Sequence, residues 1–170
     1  MSAETQTMDM PGPTKPVAEH AWLKKLIGEW TVESEMMMGP EGPTEKGTGR
    51  EVVSDFGGLW VVTEGKGTMP GGDVMEYRMA LGYDVSFKQY RGCWFATVSS
   101  HLWKYEGELS ADARTLTLNC VGPNMFKDGE TANYRDVIEF IDDDHRTLTS
   151  YGQDEKGEWQ QFMKARFTRV

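Results

Sequence analysis

Positive charge, cysteine and long apolar runs are all scarce in this chain, and each scarcity removes a class of function. Lysine and arginine number 18 against 27 aspartates and glutamates, for a formal charge of −9. A nucleic-acid binder needs clustered cations to displace counterions, so nucleic acid is not an expected partner. An anionic membrane surface is disfavoured by the same balance. The two cysteines, Cys93 and Cys120, have no Cys-x-x-Cys spacing. They fall in separate predicted strands and read as free thiols of a reducing compartment, which points to a cytoplasmic protein. Residues 1–17 are polar and proline-rich, without the apolar core of a signal peptide or a membrane span, so no membrane insertion is expected. The three histidines show no His-x-x-x-His spacing, and glycine-rich 65–72 lacks the Lys-Ser/Thr of a phosphate loop. No cofactor is expected.

What the chain does have is glycine, aromatic residues and short alternating segments. With 19 Gly, 7 Pro and 11% aromatic residues over 170 positions, it suits one domain of many strands joined by tight turns. A tail over 1–15 is expected to be disordered, with a single domain over 16–170. Val17, Trp22, Leu23, Leu26 and Ile27 recur at spacings near three and four. They predict one face of a two- to three-turn helix that Gly28 ends.

From there the pattern is strand and turn throughout. Ten strands are predicted at 30–38, 48–56, 59–68, 74–83, 89–97, 101–109, 115–121, 132–141, 146–152 and 159–169. Gly39-Pro40-Glu41-Gly42-Pro43 interrupts any ladder, and Gly57-Gly58 signals a two-residue hairpin. In 74–83, Met75, Tyr77, Met79, Leu81 and Tyr83 share one face, with Glu76 and Arg78 on the other. Connections are mostly of hairpin length, which argues against Greek-key crossings, and no helices separate the strands. The expected fold is all-β: an up-and-down antiparallel barrel of about ten strands, with the short N-terminal helix plugging one end.

Two stretches carry a resemblance. The helix followed by Gly28-Glu29-Trp30 is similar to the opening of calycin barrels, the lipocalin and fatty-acid-binding superfamily. Leu81-Gly82-Tyr83-Asp84, then Lys88-Gln89-Tyr90, Trp94 and Glu106-Gly107, resembles the bacterial family called domain of unknown function 1579. The likeness extends through the proline-rich lead into His20–Leu26 and the basic last strand, about residues 16–169. It implies a lipocalin-like fold with no established activity. In calycins the Gly-x-Trp tryptophan packs across the barrel floor under an arginine of the last strand. The resemblance therefore implies a structural latch between Trp30 and either Arg166 or Arg169. Fatty-acid-binding proteins end in Arg-x-Tyr, whereas Arg166-Phe167-Thr168 stands here, so carriage of fatty acids does not follow.

Strand parity groups Tyr77, Tyr83, Trp94, Trp103, Tyr105 and Asp136 with apolar neighbours, either lining a cavity or filling a core. His101 alternates with Trp103 and Tyr105 and is the histidine best placed to act as a base or haem ligand, or simply to bond a neighbour. A buried Asp136 needs a partner, and Arg50 or Tyr77 is the expected one. Asp142–Asp144 reads as a solvated turn, because it lacks the glycine and bidentate glutamate of a calcium loop.

The leading functional expectation is a binding protein, not an enzyme, that holds a small hydrophobic or amphipathic ligand in the barrel. One alternative is a small isomerase or haem-binding enzyme of nitrobindin-like type using His101 or Asp136, which rests on fold analogy. Another is a scaffold that pairs through its wall as a homodimer.

Overall fold

The computed structural model describes residues 10–39 and 41–170. Of the tail expected over 1–15, residues 1–9 lie outside the described residues, as does Pro40 of the first turn. Residues 10–17 are exposed and carry no helix or strand.

The predicted helix is shorter than its apolar spacing suggested. Helix α1 spans Ala18–Leu23 and tightens into a 3₁₀ turn at Lys24–Leu26. Its entry is fixed by His20, whose Nδ1 accepts the Val17 N–H at 2.9 Å while the ring is buried edge-on against Tyr83. A six-residue helix is unstable alone, so packing must hold it. Trp22, Leu23 and Leu26 are buried, Trp22 Nε1–H donates to Ala113 O at 2.8 Å, and Tyr90 O–H donates to Glu19 O at 2.9 Å. Gly28 belongs to the first strand instead of ending the helix. Its φ of 137° calls for glycine, and Arg169 Nη1 comes within 2.5 Å of where a Cβ would stand.

Ten strands follow: β1 Gly28–Met37, β2 Thr44–Phe56, β3 Trp60–Thr68, β4 Val74–Asp84, β5 Gln89–Ala96, β6 Ser99–Leu109, β7 Thr115–Pro123, β8 Thr131–Phe140, β9 His145–Gln153 and β10 Trp159–Arg169. Each pairs antiparallel with the next, and β1 pairs with β10 from Trp30↔Arg169 to Met36↔Met163, which closes the barrel. Closure leaves no edge strand at that seam. The β2–β3 turn has three residues between the partners Phe56 and Trp60, one more than Gly57-Gly58 alone suggested. Both glycines have positive φ, and Asp55 Oδ2 accepts the Gly58 N–H.

The inward positions divide the barrel along its axis. In the half beside α1, Trp30, Val53, Val61, Leu81, Tyr90, Leu116, Ile138 and Phe140 form a solid core with Trp22, Leu23 and Leu26. In the other half the inward side chains line open space. One ladder is incomplete: β6 and β7 are in register only from Glu106↔Asn119 to Leu109↔Leu116, although β6 begins at Ser99 and β7 runs to Pro123.

Candidate ligand-binding cavity

The open half encloses a cavity of about 450 Å³. Its wall is largely aromatic and methionine-rich: Tyr77 and Trp94 lie tilted with ring centres 5.8 Å apart, and Trp103 meets Tyr134 edge-on at 5.0 Å. Met75, Met79, Met163 and Phe162 fill between them. Two of the aromatics rest on glycines. A Cβ at Gly65 would stand 1.9 Å from the Tyr77 ring, and one at Gly122 would stand 2.3 Å from the Trp103 indole.

The register explains a buried polar network at the cavity floor. Glu51, Gly65 and Tyr77 are successive partners across β2, β3 and β4. Because Gly65 has no side chain, Tyr77 can lie across it, and its O–H donates to Glu51 Oε2 at 2.7 Å. Arg146 of β9 reaches the same carboxylate, donating from Nη2 to Glu51 Oε1. Its guanidinium is stacked 3.8 Å from the Phe167 ring centre and 4.6 Å from that of Trp30. Burial holds Arg146 below the usual arginine range, opposed by the Glu51 charge, while burial and then Glu51 push the Tyr77 hydroxyl well up. The ion pair is thus dry and fully dependent on its own geometry.

A second polar cluster centres on Asp136. Ser150, its direct partner on β9, donates to Oδ1 at 2.5 Å, and Tyr105 donates to Oδ2 at 2.6 Å. Burial raises the carboxyl above its ordinary value, and the two hydroxyl bonds work against that rise. Neither expected partner serves: Arg50 is outward and pairs with Glu29 at 3.9 Å, and Tyr77 is committed to Glu51. The error was one of parity for Arg50, since Glu51 is the inward position. Burial, then Asp136, pushes the nearby Cys120 thiol up to about 12, so it is protonated and unreactive at neutral pH. Cys93 and Cys120 are both free.

The cavity therefore brings together Tyr77, Trp94, Trp103, Tyr105 and Asp136. Tyr83 is left out. It lies at the far end of β4, against His20 and Tyr90 in the plugged half. His101 is also outside. Where β6 parts from β7, its Nε2 lies 3.2 Å from Val121 O and its ring is edge-on to Trp103. It lines an outer groove with Leu102, Val121 and Trp159, separated from the cavity by Trp103. Of the two latch candidates, Arg169 is the one over Trp30, at 4.2 Å, whereas Arg166 faces outward and pairs with Glu35 at 3.6 Å. Glu51 and Arg146 were not singled out from the sequence. Their signal was a charged residue sharing inward parity with an apolar neighbour, Glu51 with Val53 and Arg146 with Leu148.

Asp142 and His145 form their own exposed pair, Nδ1 to Oδ1 at 2.8 Å. No group of side chains suited to hold a metal ion occurs among the described residues.

The barrel is similar to two solved structures that cover nearly the whole chain. One is the S-type phycobiliprotein lyase CPES from Guillardia theta, with a TM-score of 0.60 and 11% identity over 91% of this chain and 93% of that one. The other is Rv2717c from M. tuberculosis, with a TM-score of 0.60 and 12% identity over 92% and 99%. At such identities the likeness is one of fold, a lipocalin-like barrel. No curated protein matches the chain in sequence. The model of the protein family of unknown function DUF1579 matches residues 15–169, and the chain belongs to that family.

Proposed function

We propose that this protein binds a small hydrophobic or amphipathic molecule inside the barrel and is not itself a catalyst. The observation that carries the reading is the aromatic and methionine-lined cavity, set above a separate packed core. A barrel filled for stability alone would continue that core to the other end, because unfilled apolar space forfeits packing energy. Here the space is walled by large side chains with a few fixed polar groups, the composition of small-molecule sites. Fold likeness to the phycobiliprotein lyase supports a barrel of this shape and carries no ligand with it. A catalytic reading on His101 has less support, since the ring lies in the outer groove.

The test is to fill the space. Leu148 lines the cavity on β9 and is only half-buried, so Leu148→Trp directs an indole into it. The uncharged solvatochromic dye Nile red is expected to brighten in the native protein. In the variant, affinity is expected to fall at least about tenfold, a loss of about 1.4 kcal/mol, with the far-ultraviolet spectrum unchanged. Equal dye binding by both proteins would locate the site elsewhere.

A further inference from the structure

Charge and hydrogen-bond bookkeeping inside the cavity narrow the ligand, on the premise of the ligand reading above. Among the described lining residues, Lys46 and Lys66 sit at exposed, outward positions of β2 and β3, and Lys66 is paired with Glu76 at 3.6 Å. Arg146 is then the one cation whose side chain is inside. Against it stand three carboxyl groups: Glu51 on the floor, Asp136 on the wall and Glu45 at the mouth, where Oε2 accepts the Gly71 N–H. The interior holds no cation to spare for an anionic ligand. A ligand carboxylate would enter a largely apolar space already occupied by acids, where like charges repel and its desolvation goes uncompensated. Burial already raises the Asp136 carboxyl in the wall of this space, in keeping with poor solvation of negative charge there.

Donors, by contrast, are in surplus. Arg146 is 2% exposed, and of its three nitrogens only Nη2 has a hydrogen-bond partner among the described residues, the Glu51 carboxylate. Its Nε is buried with no acceptor at all. Nη1 also lacks a partner among the described residues but is not fully enclosed as Nε is, so it is the nitrogen that a ligand oxygen in the cavity could meet. Each oxygen of the two nearby carboxylates already accepts one hydrogen bond. Glu51 takes Arg146 and Tyr77, and Asp136 takes Tyr105 and Ser150. The rings against the guanidinium are apolar, Phe167 at 3.8 Å and Trp30 at 4.6 Å.

We propose that the barrel selects an uncharged ligand with an apolar body and a hydrogen-bond acceptor, a carbonyl or ether oxygen, that docks against Arg146 at the cavity floor. The Glu51 pair neutralises Arg146, so the guanidinium acts as a hydrogen-bond donor without demanding an anion. This distinguishes the site from one built for a carboxylate, where the arginine would be left without an acidic partner.

The experiment uses eight-carbon probes that differ in the head group: 2-octanone, sodium octanoate and octylamine, titrated at pH 7.5 against the fluorescence of the cavity tryptophans. The bound ketone is then examined by isotope-edited infrared spectroscopy. The expected result is that 2-octanone binds most tightly, and that its carbonyl stretch lies at lower wavenumber than in cyclohexane. That shift is expected to diminish in the double variant Arg146→Met/Glu51→Gln, which removes both charges and strands neither. If that variant fails to fold, the carbonyl position in the native protein decides alone. Tighter binding of octanoate or octylamine, or a ketone stretch as in cyclohexane, overturns the Arg146 assignment while leaving the ligand cavity intact. Failure of every probe, together with equal dye binding in the Leu148→Trp protein, removes the cavity reading itself.

Discussion

Burial works against the charge of Asp136, and the hydroxyls of Tyr105 and Ser150 work in its favour, with burial the larger effect. The folded pKa is therefore above the unfolded value of about 3.9, so the native state binds the proton more tightly than the unfolded chain does. From this group, stability is greatest at low pH and declines as pH rises from about 3.9 through the folded value. An amide in the same place has no charge to lose. Asp136→Asn keeps an acceptor for Tyr105, and the Ser150 hydroxyl can turn to accept from the new amide. Its melting temperature is expected to exceed that of the native protein by a few degrees at pH 7.5, with the gap narrowing toward pH 4. Circular dichroism melts across that range test this, and a gap independent of pH contradicts it. At this scale, parity is local and gathered Tyr77, Trp94, Trp103, Tyr105 and Asp136, but it also drew in Tyr83 and His101, because alternation carries no information on height along the barrel or on where a ladder opens. The Glu51–Arg146 pair was not legible, since it joins residues 95 apart through a closed barrel. Only the oddness of a charge on an inward face hinted at it.

Among the elements, the seam between β1 and β10 is held by more than its ladder. The Arg169 guanidinium lies over Trp30 and donates to three backbone carbonyls: Ile27 at 2.7 Å, Lys25 at 3.0 Å and Asp143 at 2.9 Å. Trp30 Nε1–H in turn donates to Leu26 O at 2.8 Å. One arginine therefore ties the 3₁₀ turn after α1, the β8–β9 turn and the first strand to the last. Arg166, three residues earlier, is about half exposed and has a single ion pair with Glu35. Arg169→Met is expected to cost about 2–4 kcal/mol through lost charge-assisted hydrogen bonds and ring stacking. Arg166→Met should stay within about 0.5 kcal/mol, because exposed ion pairs contribute little. Urea unfolding midpoints measured on the two variants separate the cases, and equal losses would mean that Arg169 is not what closes the base. The strands themselves were readable from alternation and turn residues, and all ten appear. The helix was misjudged in length, since Leu26 and Ile27 continue its apolar spacing while the backbone has already tightened and extended.

As a whole, the barrel is built unevenly, dense and bolted at the base and loose at the mouth. The clearest sign of looseness is the short β6–β7 ladder, which leaves Ser99–Tyr105 of β6 without backbone partners on the β7 side, apart from the His101 ring against Val121 O. On the inner side Trp103 packs against Gly122 of β7 across this opening. Nothing in the local sequence marks it, because 101–109 and 115–121 alternate as regularly as any paired strands. Backbone amides exchange with solvent through local opening, and few buried hydrogen bonds mean a low cost to open. Hydrogen exchange read by mass spectrometry is expected to show peptides over residues 99–105 and 120–126 exchanging well before those over 28–34, 50–54 and 134–140. A cavity ligand that touches Trp103 should slow the first two and leave the base unchanged, because the base is already closed. Uniform protection around the mouth without ligand would mean that β6 and β7 are joined along their length in solution, and that the wall is as tight there as at the Trp30 seam.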